Sequence, residues 1–160
     1  MQSEMSTPGA DRDRGRAVEE LERELAEAHR REAATSYVLN VISRSPTDVQ
    51  PVFEAIALNA AQLCDAQISN VFRFDGALVH FVAGHGSSLE VQEEMRKRSP
   101  LPPSRGFAAA RAILSNAVEE IPDIFTDQDY AVGDIARTAG FRSTAAVPMR
   151  KDGLPIGART

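Results

Sequence analysis

The run from Asp48 to Val82 constrains the fold more than any other part of the chain. An amphipathic helix carrying Phe53, Ile56, Ala57, Ala60, Leu63 and Cys64 on one stripe is followed at once by Ile68-Ser69-Asn70-Val71-Phe72-Arg73-Phe74. Asp75-Gly76 comes next, then Leu78-Val79-His80-Phe81-Val82-Ala83. Apolar residues at helical spacing make one buried face. Asp-Gly between two runs rich in Phe, Val and Leu is a hairpin signal. A helix that hands over directly to a hairpin predicts an α+β fold, with the helix lying across a central antiparallel sheet.

Upstream, residues 1–15 are Ser, Thr, Pro, Gly and alternating Asp and Arg, and are expected to form a disordered tail with little to bury. From residue 16 to 44 the texture changes. Val18, Leu21, Leu25, Ala28, Thr35, Leu39 and Ile42 follow steps of three and four, interrupted by Glu32 and Thr35 and flanked by Glu22, Glu24, His29 and Arg31. That is a heptad seam, read as a two-helix coiled coil in preference to a single amphipathic helix lying on its own domain. Ser45-Pro46-Thr47-Asp48 ends or kinks the helix, because the residue before proline resists helical geometry. Ser45 or Thr47 is the expected cap of the next helix.

Downstream, Gly84-His85-Gly86 closes the second strand, and Ser87 or Ser88 caps a short helix running to about Arg98. Pro100-Leu101-Pro102-Pro103-Ser104-Arg105-Gly106 excludes helix and central strand. A second short helix follows from Phe107 to Ser115, with Ala112 and Ile113 buried, then a strand at Ala117–Ile121 and a helical turn from Asp129 to Thr138. Arg142–Met149 reads as a strand, Lys151-Asp152-Gly153 turns it, and Leu154-Pro155-Ile156-Gly157 opens its partner. Residues 45–160 are thus expected to form one domain.

The formal net charge is -5, which gives no global attraction to nucleic acid or to an anionic membrane. The densest basic cluster, Arg96-Lys97-Arg98, suits a helix C-terminus. The single cysteine, Cys64, builds no internal disulfide and is expected to be a small buried hydrophobe. No apolar run approaches the roughly 18 residues of a membrane span. The N-terminus lacks the order of a secretory signal. A cytoplasmic location without membrane insertion is the expectation.

The element order, together with Leu63-Cys64-Asp65-Ala66, Phe72-Arg73-Phe74-Asp75-Gly76, Ile121-Pro122-Asp123, Gly140-Phe141-Arg142-Ser143, Val147-Pro148-Met149 and Asp152-Gly153-Leu154-Pro155-Ile156-Gly157, resembles a GAF domain. Arg31-Glu32-Ala33-Ala34-Thr35-Ser36 leading to Ser45-Pro46-Thr47-Asp48 resembles the linkers of bacterial sensor histidine kinases and nucleotide cyclases. The resemblance implies a GAF/PAS-like sheet with helices packed on one face and a ligand pocket under loops on the other. It implies a regulatory part of a signalling protein, dimeric through its N-terminal helix and coupled to an output domain such as a histidine kinase or cyclase. Members normally continue through a full last strand and a C-terminal helix, so the domain is expected to be incomplete at Thr160. An unpaired last edge and uncovered apolar surface near Leu63 follow as expectations.

No chemistry of catalysis is visible. Gly84-His85-Gly86 is not a dinucleotide loop, and His29, followed by Arg30-Arg31, does not resemble a phosphoacceptor box. One cysteine does not support the internal disulfide relay of GAF-type methionine sulfoxide reductases. The signature of cyclic-nucleotide-binding members and the Cys-His pair of bilin-binding members are absent. His80 and His85 are weak metal or haem candidates, and Asp123, Asp127 and Asp129 lack calcium-loop spacing and read as caps and turn formers. No cofactor is expected beyond an unidentified small molecule. The pocket candidates are Phe72, Phe74, His85, Arg105, Phe107, Asp129, Tyr130, Phe141 and Arg142, with Arg105-Gly106 as the expected anion contact. A ligandless dimerisation scaffold is the rival reading.

Overall fold

The computed structural model describes residues 8–44 and 48–160. Ten elements follow one another: α1 (Pro8–Arg44), α2 (Gln50–Cys64), β1 (Ser69–Phe74), β2 (Val79–His85), α3 (Leu89–Arg98), α4 (Ala108–Ser115), β3 (Glu119–Ile121), α5 (Gly133–Ala139), β4 (Thr144–Lys151) and β5 (Leu154–Arg159). The strands form one antiparallel sheet in the order β2-β1-β5-β4-β3.

The two faces of the sheet are covered differently. On one, α2 lays Ala57 against Val71 and Ala83, with Phe53, Ile56, Val82 and Met149 around them. On the other, Phe72, Val79, Phe81, Ala146 and Ala158 meet Ala108, Ala109, Ala112 and Ile113 of α4, together with Ala136 of α5. The expected one-sided packing therefore describes the two long helices, while the short helices α3 to α5 form a second layer. Alternation along β1 decides this: Val71 points to α2 and Phe72 to α4. Small side chains let α4 sit close, since Ala108, Ala109, Ala110, Ala112 and Ile113 are all buried.

Each hairpin forms where the sequence signals it. Asp75 accepts from the Ala77 and Leu78 backbone N–H groups at 3.0 and 2.8 Å, and its other oxygen meets His80 Nε2 at 2.6 Å. These bonds hold the Asp75 carboxyl well below its ordinary range, the Leu78 backbone bond first among them. A bulge at Val71/Phe72 shifts the β1–β2 register, so that Phe72 faces Phe81 and Val71 faces Ala83. Ser88 caps α3 by accepting from Val91 N–H at 3.3 Å. The Arg96-Lys97-Arg98 cluster occupies the last turn of α3, as its charge suits.

Three expectations are corrected. Pro8 through Gly15 continue α1 and are not a tail; proline is suited to a first helical turn, and a helix already nucleated downstream propagates cheaply. Residues 1–7, and the expected caps Ser45 and Thr47, lie outside the described residues. Asp48 accepts from Gln50 N–H at 2.9 Å. Cys64 is exposed, because the buried positions of α2 end at Ala61 and the last turn runs past the sheet into the left-handed Asp65. The last strand is not an edge: β5 pairs with β1 through Val71↔Arg159 and with β4 through Val147↔Arg159, and Asn70 and Thr160 exchange both backbone bonds at 2.9 Å. The edges are β2 and β3. Leu63 does remain exposed.

Two glycines allow close backbone approach. A Cβ on Gly157 would lie 2.2 Å from Phe72 O, and one on Gly86, where φ is +83°, would lie 1.9 Å from Gln67 O. Gly86→Ala should lower stability by roughly 1–3 kcal/mol, read by urea unfolding. A wild-type midpoint would show that the backbone there relaxes freely.

Candidate functional site

The α3–α5 face of the sheet does not pack solid. A cavity of about 480 Å³ lies against it, bounded by Phe72, Val79 and Phe81 from the sheet, Val91 and Met95 from α3, Phe107 and Ala108 at the start of α4, Tyr130, and Ile135 of α5. Phe141 and Arg142 close another side. At the far end of the sheet the lining continues through Ser69, Asn70, Ser87, Thr160 and the α2 residues Ala60 and Cys64. The volume falls in the range of small-molecule sites, roughly 300–1,000 Å³.

The aromatic wall is preorganised. Phe72 contacts Phe81 edge-on, with centroids 5.6 Å apart, and Phe107 at 5.7 Å in a tilted arrangement. Tyr130 stands on the loop between β3 and α5. Burial pushes its hydroxyl up to about 12, so it stays a neutral phenol.

The loop carrying Tyr130 is pinned from beneath by Arg111. This α4 residue is 5% exposed and grips Asp127 through both terminal nitrogens at 2.7 Å, while its Nε donates to Arg105 O at 2.6 Å. The forked geometry is what arginine offers a carboxylate. Asp127 in turn accepts from Asp129 N–H at 3.0 Å, and Ala131 N–H donates to Gly106 O at 2.8 Å. The Arg111 bond lowers Asp127 to about 2 and raises Arg111 itself. A clasp on the other side joins α3 to α5: Arg98 bonds Asp134 Oδ1 at 3.1 Å and Glu94 at 3.0 Å.

Of the sequence-predicted residues, Phe72, Phe107, Tyr130, Phe141 and Arg142 come together on the cavity. The other four do not. Phe74 packs against the core cluster without lining the cavity. His85 is exposed at the end of β2 and borders a separate groove with Tyr37, Gln92 and Arg96. Arg105 is 66% exposed and bonds Asp129 at 2.8 Å, and neither residue lines the cavity. The short α4 turns inward from Gly106, which leaves the preceding arginine outside. Arg142 lines the cavity but is held by Asp123 at 3.0 Å.

Sequence reasoning missed Arg111, Phe81, Met95 and Asn70. Phe81 was legible as the cross-strand partner of Phe72 once the hairpin was counted from Asp75-Gly76. Met95 follows Val91 by one helical turn. Arg111 carried no such signal, because an arginine among alanines reads as a solvated position. Asp123 and Asp127 do form turns as expected, accepting from Phe125 and Asp129 N–H groups at 3.0 Å.

Residues 48–158 match the family model described as GAF domain. The chain belongs to the GAF domain family. GAF domains are sensory or regulatory parts of signalling proteins. No curated protein matches the sequence. Among solved structures, the GAF domain/HD domain protein from Geobacter sulfurreducens is similar at 18% identity and TM-score 0.59, over 71% of this chain and 72% of that one. A phosphoenolpyruvate-protein phosphotransferase GAF domain from Coxiella burnetii is similar at 9% identity and TM-score 0.58, over 79% and 74%. Free methionine-R-sulfoxide reductase from Neisseria meningitidis, solved with its substrate, is similar at 18% identity and TM-score 0.57, over 84% and 72%. At these identities the likeness is one of fold. Among the described residues, no helix is long and apolar enough to cross a membrane.

Arg111→Ala should destabilise the domain clearly, because it removes a buried guanidinium together with its bonds to Asp127 and to Arg105 O. Arg105→Ala, which removes an exposed pair, should change stability by less than about 1 kcal/mol. Equal effects in chemical unfolding would refute this ranking. The pH dependence has a definite sign. The folded carboxyl of Asp127 titrates near 2, below its ordinary 3.8, so its contribution is present above about pH 4 and fades as pH falls through 2. Asp127→Asn should therefore be less stable than wild type at neutral pH, and the gap should close in acid. A gap that stays constant down to pH 2 would show that the pair is not formed.

Proposed function

We propose that this chain is the sensory or regulatory GAF domain of a signalling protein. It binds a small molecule in the cavity and relays occupancy through an N-terminal helix paired with that of a second copy. The observation that carries the proposal is the cavity itself: its walls are the short helices and the Tyr130 loop, joined to one another by the Arg111 and Arg98 ion pairs. A ligand that prefers one arrangement of these walls shifts their packing on the sheet.

The relay has its own support. Near its end α1 lies against α2, with Ala34, Val38 and Val41 half-buried. A different stripe, holding Val18, Leu21, Leu25, Leu39 and Ile42, stays uncovered, with Leu21 63% and Leu25 57% exposed. One face of the helix thus reads the domain and another is open to a partner helix at heptad spacing. An output domain of the histidine kinase or nucleotide cyclase type suits this arrangement, and the domain itself is read as non-catalytic and cytoplasmic. The open stripe also supports the second reading, a dimerisation scaffold that needs no ligand.

Leu21→Lys combined with Leu25→Lys should convert a dimer to a monomer in sedimentation velocity, with the melting of residues 48–160 unchanged. Unchanged sedimentation would remove the paired-helix relay.

A further inference from the structure

The cavity is polarised end to end. Its middle and one end are apolar: Phe72, Phe81, Phe107, Tyr130, Phe141 and Met95. Its other end, where β1 starts and β2 stops, is lined by two residues whose side chains each hold a buried atom with no hydrogen-bond partner, Asn70 Oδ1 and Ser87 Oγ. Ser69 Oγ is also unpartnered, but Ser69 alternates with Val71 on the α2 face. Ser69 and Asn70 are 2% and 7% exposed. Unpartnered buried polar atoms are rare and costly in folded proteins, and here two belong to residues at one end of the cavity.

Asn70 is the better placed of the two. It shares a sheet face with Phe72, and its Nδ2 donates weakly to Thr160 Oγ1 at 3.4 Å, leaving Oδ1 free. Room for the amide comes from Gly84 across the hairpin. A Cβ there would lie 2.9 Å from Asn70 Oδ1 and 3.1 Å from Phe81 Cζ, so the free oxygen sits on the side of the aromatic wall.

The cations around the cavity are otherwise committed. Arg98 is bound by Asp134 and Glu94, and Arg142 by Asp123. Arg159 lines the sheet end, but it pairs in register with Val71, whose side chain faces α2, away from the aromatic wall. An anion entering between the aromatic rings would meet no uncommitted positive group there.

Resting on the reading of the cavity as a ligand site, we propose that the ligand is an uncharged aromatic or heteroaromatic molecule carrying an amide or hydroxyl at one edge. The ring lies among Phe72, Phe81, Phe107 and Tyr130. The polar edge donates to Asn70 Oδ1 and accepts from the Ser87 hydroxyl. The class excludes carboxylates and phosphates of similar shape.

Three naphthalene probes of one shape separate the alternatives: 2-naphthamide, 2-naphthoate and 2-methylnaphthalene, titrated into the full chain and followed by the shifts of backbone amides lining the cavity. Naphthamide should bind roughly three- to ten-fold more tightly than either of the others, the effect of one or two hydrogen bonds. Asn70→Ala should erase the preference over methylnaphthalene. Ser87→Ala, at a less buried position, should weaken it in the same direction without disturbing the fold. Naphthoate binding as tightly as the amide, or methylnaphthalene equalling it in the wild type, would overturn the ligand class and leave the sensory reading standing. No shift with any probe would overturn both and favour the scaffold.

Discussion

The buried fork between Arg111 and Asp127 is the interaction on which the cavity depends. A buried arginine among the alanines of α4 would be a severe liability without a partner, because its charge is removed from water. Asp127 supplies that partner, and in doing so it draws the loop between β3 and α5 down onto α4. Tyr130 and Ala131 follow because they are next in the chain. One wall of the cavity is thus set by electrostatics, while the facing wall is set by apolar packing of Phe72 and Phe81 on the sheet. The alanines of α4 are part of the same solution, since only small side chains allow the helix near enough to the sheet for Arg111 to reach across.

This division explains which features were legible beforehand. The sheet came from local signals: period-two alternation, Asp-Gly and Asp-Gly-Leu turns, and proline punctuation each act over a few residues. The site residues on strands and at helix starts, such as Phe72 and Phe107, were identified for the same reason. The loop residues were not separable by local signals. Arg105 and Arg111 look alike in sequence, and both find an aspartate in the same short loop. Only the direction in which α4 leaves Gly106 decides that one pair is buried and the other solvated. His85, expected near a pocket mouth from its place at the strand end, instead borders a separate groove.

The same limits apply to the long helix. A heptad stripe was visible between Val18 and Ile42, but the second stripe of Ala34, Val38 and Val41 gained meaning only once α2 lay beside it. The two stripes are what distinguish a helix attached to its domain from one that merely precedes it. Cys64 shows the converse: its place on an apolar stripe was correctly counted, yet the stripe outlasts the surface it packs on.

The strand order has a consequence for how the protein comes to exist. β5, the last of the strands described, is the middle of the sheet and stands between β1 and the β3–β4 half. Until that late strand docks, the chain holds two separate pieces of pleated structure whose inner edges are both open, and no floor lies under the aromatic rings. Assembly of the cavity therefore waits on a single long-range closure, the kind of step that is entropically slow. Any form of this domain that has the cavity is necessarily one in which that closure is complete.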